Sequence, residues 1–300
     1  MNRTHPIPPP GPILLLAVIG ISSASILIRW SAAPALTIAF YRLGYAAAIH
    51  AAISLANRNG YRAFDRWAIL RSILAGCFLA AHFGLWITSL GYTTVAASTV
   101  LVSFHPLLTA AGGFFLFREK LSSGALAAML VGLFGTGIIA FGGGLSVGTG
   151  SLGAGLALLG ALAMSGYLLA GRAVRRRVGT IPYTVVVYAV AAASVAAVAQ
   201  MRGIPLVGFP LREHLIFVAL AVFPTLFGHT LLNWALAHVQ TAGVSFSALG
   251  EPVVATLLAW LLLREVPAAH QIVGGLVVLV ALGTYLRRVS SRRRRGAIAQ

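Results

Sequence analysis

His82 and Trp86 stand four residues apart, as do His229 and Asn233, and each pair lies inside a long apolar run. On a helix that spacing puts both members on one face. An imidazole and an aromatic ring on one face make a wall on which a small molecule stacks while the imidazole gives or takes a hydrogen bond. The structural alternative is a histidine satisfied by a neighbouring helix beside an interfacial tryptophan. Ser103 and His105 precede Pro106, and Ser245, Ser247 and Glu251 precede Pro252. A proline inside a helix lacks the N–H that would tie down the previous turn and so frees a carbonyl for another partner. Pro106 and Pro252 are therefore hinge candidates, with a simple kink as the alternative. Met164, Ser165 and Tyr167 add polar or polarisable groups from another apolar run, and Ser22, Ser23 and Ser25 add hydroxyls from the first.

Glu251 is the one acidic residue deep within an apolar run, and Arg42 is the one arginine so placed. Ionisable groups in such surroundings are costly and default to functional candidates. Glu251 has three readings: counter-charge for a ligand ammonium, proton-coupling site, or structural partner of Arg42. Arg42 reads as half of a structural or gate ion pair, or as a ligand for a carboxylate. His82, Trp86, Ser103, His105, Met164, Tyr167, His229, Asn233 and Glu251 are the candidate binding residues, and Arg42, Pro106 and Pro252 the candidate gate or hinge residues.

The elements that carry these residues follow from composition. Of 300 residues, 59% are hydrophobic and 9% charged, against about a quarter charged in soluble domains. So few charges cannot cover a globule of this size, and most of its surface must face lipid. Ten apolar stretches cover about 12–30, 34–55, 67–89, 92–116, 122–142, 151–171, 181–201, 213–236, 241–263 and 268–286. Each is about the length of one helical crossing, and helices satisfy their own backbone within lipid. The expected class is an all-α polytopic membrane protein. The first stretch also resembles a cleavable signal peptide, with Arg3 ahead of it and small residues at Ser22–Ser25. It runs on to about Trp30, which favours an uncleaved first span.

Ten crossings put both termini on one side. That side then receives seventeen of the 22 positive residues: Arg3, Arg58, Arg62, Arg66, Arg71, Arg118, Lys120, Arg172, Arg175, Arg176, Arg177, Arg287, Arg288 and Arg292–Arg295. The other side receives four, Arg29, Arg202, Arg212 and Arg264. Positive residues concentrate in cytoplasmic loops, so both ends are expected in the cytoplasm of a bacterial-type inner membrane. The net charge of +17 is thereby read as topology, and no nucleic-acid partner is expected. The arginine-rich tail at 289–300 reads as a solvated anchor, or as a contact with anionic lipid.

The chain repeats itself. Trp86…Thr93 matches Trp234…Thr241, and Pro106…Arg118-Glu119 matches Pro252…Arg264-Glu265 with the same internal spacing. The halves are residues 1–146 and 147–288. Five crossings in each half invert the second relative to the first, so Arg118-Glu119 and Arg264-Glu265 fall on opposite faces as end caps or gate elements. Inverted repeats around a midplane site mark carriers that alternate access; a duplicated bundle without transport is the alternative.

Other chemistries fare poorly. Gly148-Thr-Gly-Ser-Leu-Gly153 fits a nucleotide-binding string but follows no strand. Gly243-Val-Ser-Phe-Ser247 begins like a nucleophile elbow and lacks its last glycine. One cysteine, Cys77, and five acidic residues leave little for disulfides, metal clusters or acid–base catalysis. No cofactor, metal or enzymatic activity is expected. An ion channel and an intramembrane enzyme remain the alternatives to a carrier.

Glu251-Pro-Val-Val-Ala-Thr…Leu-Leu-Leu-Arg-Glu265, followed by Gln271-Ile-Val-Gly-Gly275, resembles the repeat signature of the EamA-type family of the drug/metabolite transporter superfamily. His105-Pro-Leu-Leu-Thr…Phe-Arg-Glu119 is similar to the same signature in the first half. The resemblance implies a ten-helix exporter of small metabolites, with helices 1, 3, 4, 6, 8 and 9 around a central cavity and helices 5 and 10 peripheral. Ser89-Leu-Gly-Tyr92 is similar to the YddG-type amino-acid exporters within that family. What this implies is alternating-access export of an aromatic or apolar amino acid by a monomer, with a proton as the candidate coupling ion. Lys120 and Val266-Pro267 depart from the signature near helix ends.

Overall fold

The computed structural model describes residues 9–56, 64–89, 92–93, 95–141 and 151–298, without the side chains of 95–97, 99, 286 and 288–298. Outside it fall Arg3, Arg58 and Arg62, the Asn57–Gly60 and Gly142–Gly144 turns, Gly148-Thr149-Gly150 of the Gly148–Gly153 string, and Leu90-Gly91 of the amino-acid-exporter match. The described residues hold helices and no strand. Nine helices are long and apolar enough to cross a membrane, and Ala269–Tyr285 is a shorter apolar helix in the tenth position.

The crossings are α1 (Pro10–Trp30), α2 (Ala35–Ala56), α3 (Arg66–Ser89), a fourth made of α4 (Val95–Val102) and α5 (His105–Phe117), then α6 (Ser123–Phe141), α7 (Ser151–Arg175) and α8 (Thr180–Met201). The eighth begins as α9 (Leu211–Leu220), widens into a π-helical stretch, Ala221–Thr230, and ends as α10 (Leu231–Ala235). The ninth is α11 (Thr241–Ser247), one 3₁₀ turn and α12 (Glu251–Leu263). The tenth is α13 (Ala269–Ile298), so the arginine-rich stretch continues the last helix.

The pairing of helices follows the repeat. α3 packs on α7 and α8, and α1 packs on the π stretch with α9 and α10; α2 lies on α8, and α6 on α13. The α6–α13 contact is made by glycine. A Cβ on Gly135 would come within 2.9 Å of the Gly274 carbonyl oxygen, and one on Gly274 within 2.6 Å of the Gly135 carbonyl oxygen. Without a hydrophobic drive between helices in lipid, such backbone approach is what holds a pair together. The outward faces stay apolar, as lipid requires: Phe115, Leu116, Phe134, Leu215 and Leu261 are all exposed.

The breaks in the fourth and ninth crossings are the same local event. His105-Pro106 opens α5 and Glu251-Pro252 opens α12, each proline at the start of a new helical segment, where its missing N–H costs least. Both segments end alike. Arg118 (φ 55°) and Arg264 (φ 57°) adopt the left-handed conformation. Glu119 then donates its N–H to the Gly113 carbonyl at 3.0 Å, and Glu265 to the Ala259 carbonyl at 3.3 Å. These bonds close the helix ends and aim each glutamate back at the bundle.

The π stretch was not expected from the sequence. Pro224 lies inside it and donates no N–H. Two threonine hydroxyls reach back five residues instead, Thr225 to the Leu220 carbonyl at 2.9 Å and Thr230 to the Thr225 carbonyl at 3.1 Å.

Candidate functional site

At mid-height the two breaks are satisfied by the same device on opposite sides. The Ser165 hydroxyl of α7 donates to the His105 carbonyl at 3.0 Å, and the Ser22 hydroxyl of α1 donates to the Glu251 carbonyl at 3.2 Å. Each serine also bonds the carbonyl four residues back in its own helix, Ala161 and Val18. Each serine of a facing helix thus bonds the carbonyl of the residue just before the proline, tying the start of the new helical segment to its neighbour.

His105 is held from two sides. Its Nδ1 lies 2.7 Å from the Ser245 hydroxyl of α11, which is also 3.3 Å from the Thr109 hydroxyl. The imidazole therefore joins the fourth crossing to the ninth. Its counterpart Glu251 sits half-buried at the matching break with no side-chain ion pair among the described residues. The Arg42–Glu251 ion pair, one of the three readings of Glu251, is not formed. Arg42 donates from Nε to the Thr225 hydroxyl at 3.2 Å and lies over the Phe83 ring, 5.0 Å from its centroid. It is buried at the centre of the bundle rather than at either end. The π stretch explains this position: widening the eighth helix presents Thr225 toward α2, and the cation finds a hydroxyl and a ring instead of a carboxylate.

His82 is buried, with Nδ1 3.0 Å from the Gly160 carbonyl of α7. Its ring stacks parallel to Trp86 at 6.2 Å. The structure thus contains both halves of the earlier alternative: the imidazole is satisfied by a neighbouring helix, and its face is covered by tryptophan. His229 packs near Phe83 and Tyr167, at 6.3 and 6.4 Å between ring centroids. Asn233 donates from Nδ2 to the Tyr167 hydroxyl at 2.6 Å. Two polar atoms in this group are buried without partners, His229 Nδ1 and Asn233 Oδ1. Orphaned polar atoms in a low-dielectric interior cost about 1–3 kcal/mol each, which marks this group as the candidate site. Tyr188 of α8 completes the group, its hydroxyl 3.1 Å from that of Thr230. Met164 is buried in the core among Tyr167, Leu168 and Tyr188, and Ser103 is half-buried in the bend before His105.

The structure therefore gathers Arg42, Tyr167, His229 and Asn233 into one polar centre, with His82 and Trp86 on α3 beside it, and sets His105 and Glu251 at the paired breaks. Sequence reasoning missed Tyr188 and Thr225. Pro224 inside an apolar run was the available signal for the π stretch. It also read Arg172 and Arg175 only as topology charges.

Those two arginines belong to the end of the molecule where Glu119 lies. Glu119 forms a buried ion pair with Arg172 at 3.0 Å. It also accepts from the Thr241 backbone N–H at 2.9 Å and its hydroxyl at 3.4 Å, capping α11. Arg172 donates to the Leu236 carbonyl, and Arg175 to the Asn233 carbonyl at 2.9 Å and to the Val178 carbonyl. The ends of α5, α7, α10 and α11 are thus tied together. At the other end Glu265 pairs with Arg29 of α1 at 2.5 Å, and both side chains are more than half exposed. That pair borders an open cleft of about 260 Å3 lined by Ser25, Ala255, Ala259 and Gln271. Among the described residues no group of three or more His, Cys, Asp or Glu is placed to hold a metal.

The repeat, the broken helices and the apolar crossings describe a polytopic membrane protein. The family model for the EamA-like transporter family matches residues 12–141 and again 151–286, and the chain belongs to that family. Among curated proteins none matches. A solved structure titled "Crystal structure of protein" is similar over 95% of this chain and 98% of its own, with a TM-score of 0.79 and 22% identity, which establishes the shared fold. The family gives a small-molecule substrate and a lipid surround.

Proposed function

We propose that the protein exports small metabolites by alternating access, and that its substrates are amino acids with aromatic or apolar side chains. The observation that carries the reading is the difference between two equivalent ends around one polar centre. The Glu119 end is tied by a buried ion pair and a helix cap, whereas both members of the corresponding pair at the Glu265 end are more than half exposed. A carrier caught with one gate shut has this form.

The centre suits a zwitterion. Arg42 supplies a cation for a carboxylate and Glu251 an anion for an ammonium, with Asn233 Oδ1 as an additional acceptor. The rings of Phe83, Trp86, Tyr167 and Tyr188 supply apolar contact. His82, Ser103, His105, Met164 and His229 shape the rest of the wall, and Pro106 and Pro252 let the half-helices tilt. With the positive-inside bias, the Glu119 end faces the cytoplasm of an inner membrane and both termini lie there. The carrier works as a monomer, and Glu251 is the residue through which a proton would couple.

Purified protein in liposomes tests this with a panel of labelled amino acids, with and without a pH gradient. Saturable flux with counterflow for an aromatic or branched amino acid is the expected result. Ohmic current would make it a channel, and a chemically altered product an enzyme. Arg42→Ala should abolish uptake of the zwitterion while the protein still inserts in the membrane. Flux of amino-acid amides equal to that of the free acids would refute the carboxylate assignment.

A further inference from the structure

The repeat relates Thr241 to Thr93, Glu119 to Glu265 and, through the equivalent serines Ser22 and Ser165, Arg29 to Arg172. Three of the four members of the sealed end therefore have named counterparts at the open end, and two of these, Arg29 and Glu265, already touch. The third does not. Thr241 gives its hydroxyl and its N–H to Glu119, whereas the Thr93 hydroxyl is buried and has no hydrogen-bond partner. Thr93 lies just ahead of α4, as Thr241 opens α11. Its N–H is engaged by the Ser89 carbonyl at 3.0 Å, so the hydroxyl is its one free donor. Thr93 itself packs closely on α7: a Cβ on Gly153, at the start of that helix, would come within 2.8 Å of Thr93 Cβ.

We propose that the Thr93 hydroxyl is the docking site for the Glu265 carboxylate, made when the open end closes, and that it is the counterpart of the Thr241–Glu119 contact broken when the sealed end opens. Among the described residues no other group at the open end partners this hydroxyl. An orphaned donor is a cost in the present state and is removed when an acceptor arrives. The carboxylate that can arrive is on an exposed side chain at the end of α12, held by one solvated ion pair that is easily given up. Closure would carry Glu265, with Arg29, from solvent into the position that Glu119 and Arg172 occupy at the other end. The two latches use the same two crossings, the fourth and the ninth. α5 reaches α11 at one end and α12 would reach the start of α4 at the other. Tilting about the His105 and Glu251 breaks makes one contact as it breaks the other. The inference rests on the alternating-access reading.

Two measurements test it, both on the full-length chain in liposomes with Cys77→Ser as background. In the first, Thr93→Cys with Glu265→Cys is oxidised. A disulfide requires Cα atoms within about 7 Å, so it forms only if Glu265 reaches Thr93. The expected result is a disulfide that stops counterflow of labelled phenylalanine or leucine and is reversed by reductant. Adding Thr241→Cys with Glu119→Cys should give one disulfide or the other in each molecule and never both. In the second, Thr93→Val removes the hydroxyl and keeps the shape. Because the hydroxyl is unpartnered in the present state, thermal stability should hold or rise, while the balance between the two closed ends shifts by about tenfold and flux falls; Thr93→Ser should restore it. No disulfide in protein that shows wild-type counterflow, both disulfides in one molecule, or Thr93→Val with unchanged flux would overturn the docking site and leave the carrier reading intact. Wild-type protein that conducts ohmically without counterflow would remove the carrier reading and this inference with it.

Discussion

The Glu119 and Glu265 ends are built from the same local parts and rest in opposite states. Each has an arginine in the left-handed conformation, a glutamate turned back by a bond to a carbonyl six residues earlier, and an arginine from a facing helix. At one end the glutamate is buried, paired and capping a helix; at the other it is solvated. Local sequence therefore fixes the shape of each latch and leaves its state undecided. Whether the pair is buried depends on how the neighbouring helices pack around it, which is a property of the bundle. Burial then sets the energetic weight. An ion pair sealed from water cannot lose one member cheaply, because the other charge is left without solvent or partner. An exposed pair loses little.

That contrast can be broken at several points. The largest effect is expected for Arg172→Ala, which strands Glu119. It should cost about 3–5 kcal/mol, read as a lowered Tm in detergent, and should expose the Glu119 end to a membrane-impermeant thiol reagent at a cysteine placed at Ala237. A Tm within a degree of wild type would show that the pair carries no weight. Next, Gly135→Ala presses a methyl group onto the Gly274 backbone and should cost about 1–3 kcal/mol by forcing α6 from α13. Because that pair lies outside the latches, substrate affinity should hold while Tm falls. Ser245→Ala leaves the His105 imidazole without its partner on α11. A loss of about 1–3 kcal/mol is expected with lowered flux, and His105→Ala should lower flux further without preventing insertion. The smallest effect belongs to Arg29→Gln at the open end, within about 1 kcal/mol in Tm. A cost equal to that of Arg172→Ala would mean the open end spends most of its time closed.

Much of this architecture was legible in the sequence. The ten apolar runs needed only length and composition, because lipid demands about the same number of apolar residues at every crossing. The breaks before Pro106 and Pro252 were legible too, since proline's missing N–H is a local fact. The site was legible in part. His82, Trp86, His229 and Asn233 stood out because ionisable and amide groups are rare inside lipid. Their partners did not, because Gly160, Tyr167 and Thr225 meet them only across helices far apart in the chain. Pairing with Glu251 was one reading of Arg42. It took Thr225 and Phe83 because a π stretch, invisible to hydropathy, moved a hydroxyl into reach. Arg172 counted as a topology charge until α7 carried it against Glu119.

By itself the sequence determined how many times the chain crosses, that it does so as two related halves, and where its helices bend. These follow from the solvent each segment meets and from backbone chemistry within a few residues. Only the tertiary structure decided which charges are partnered, which polar atoms are left without partners and which of two equivalent ion pairs is buried. Those depend on distances between segments a hundred or more residues apart, and identical local motifs at the two ends permit either outcome.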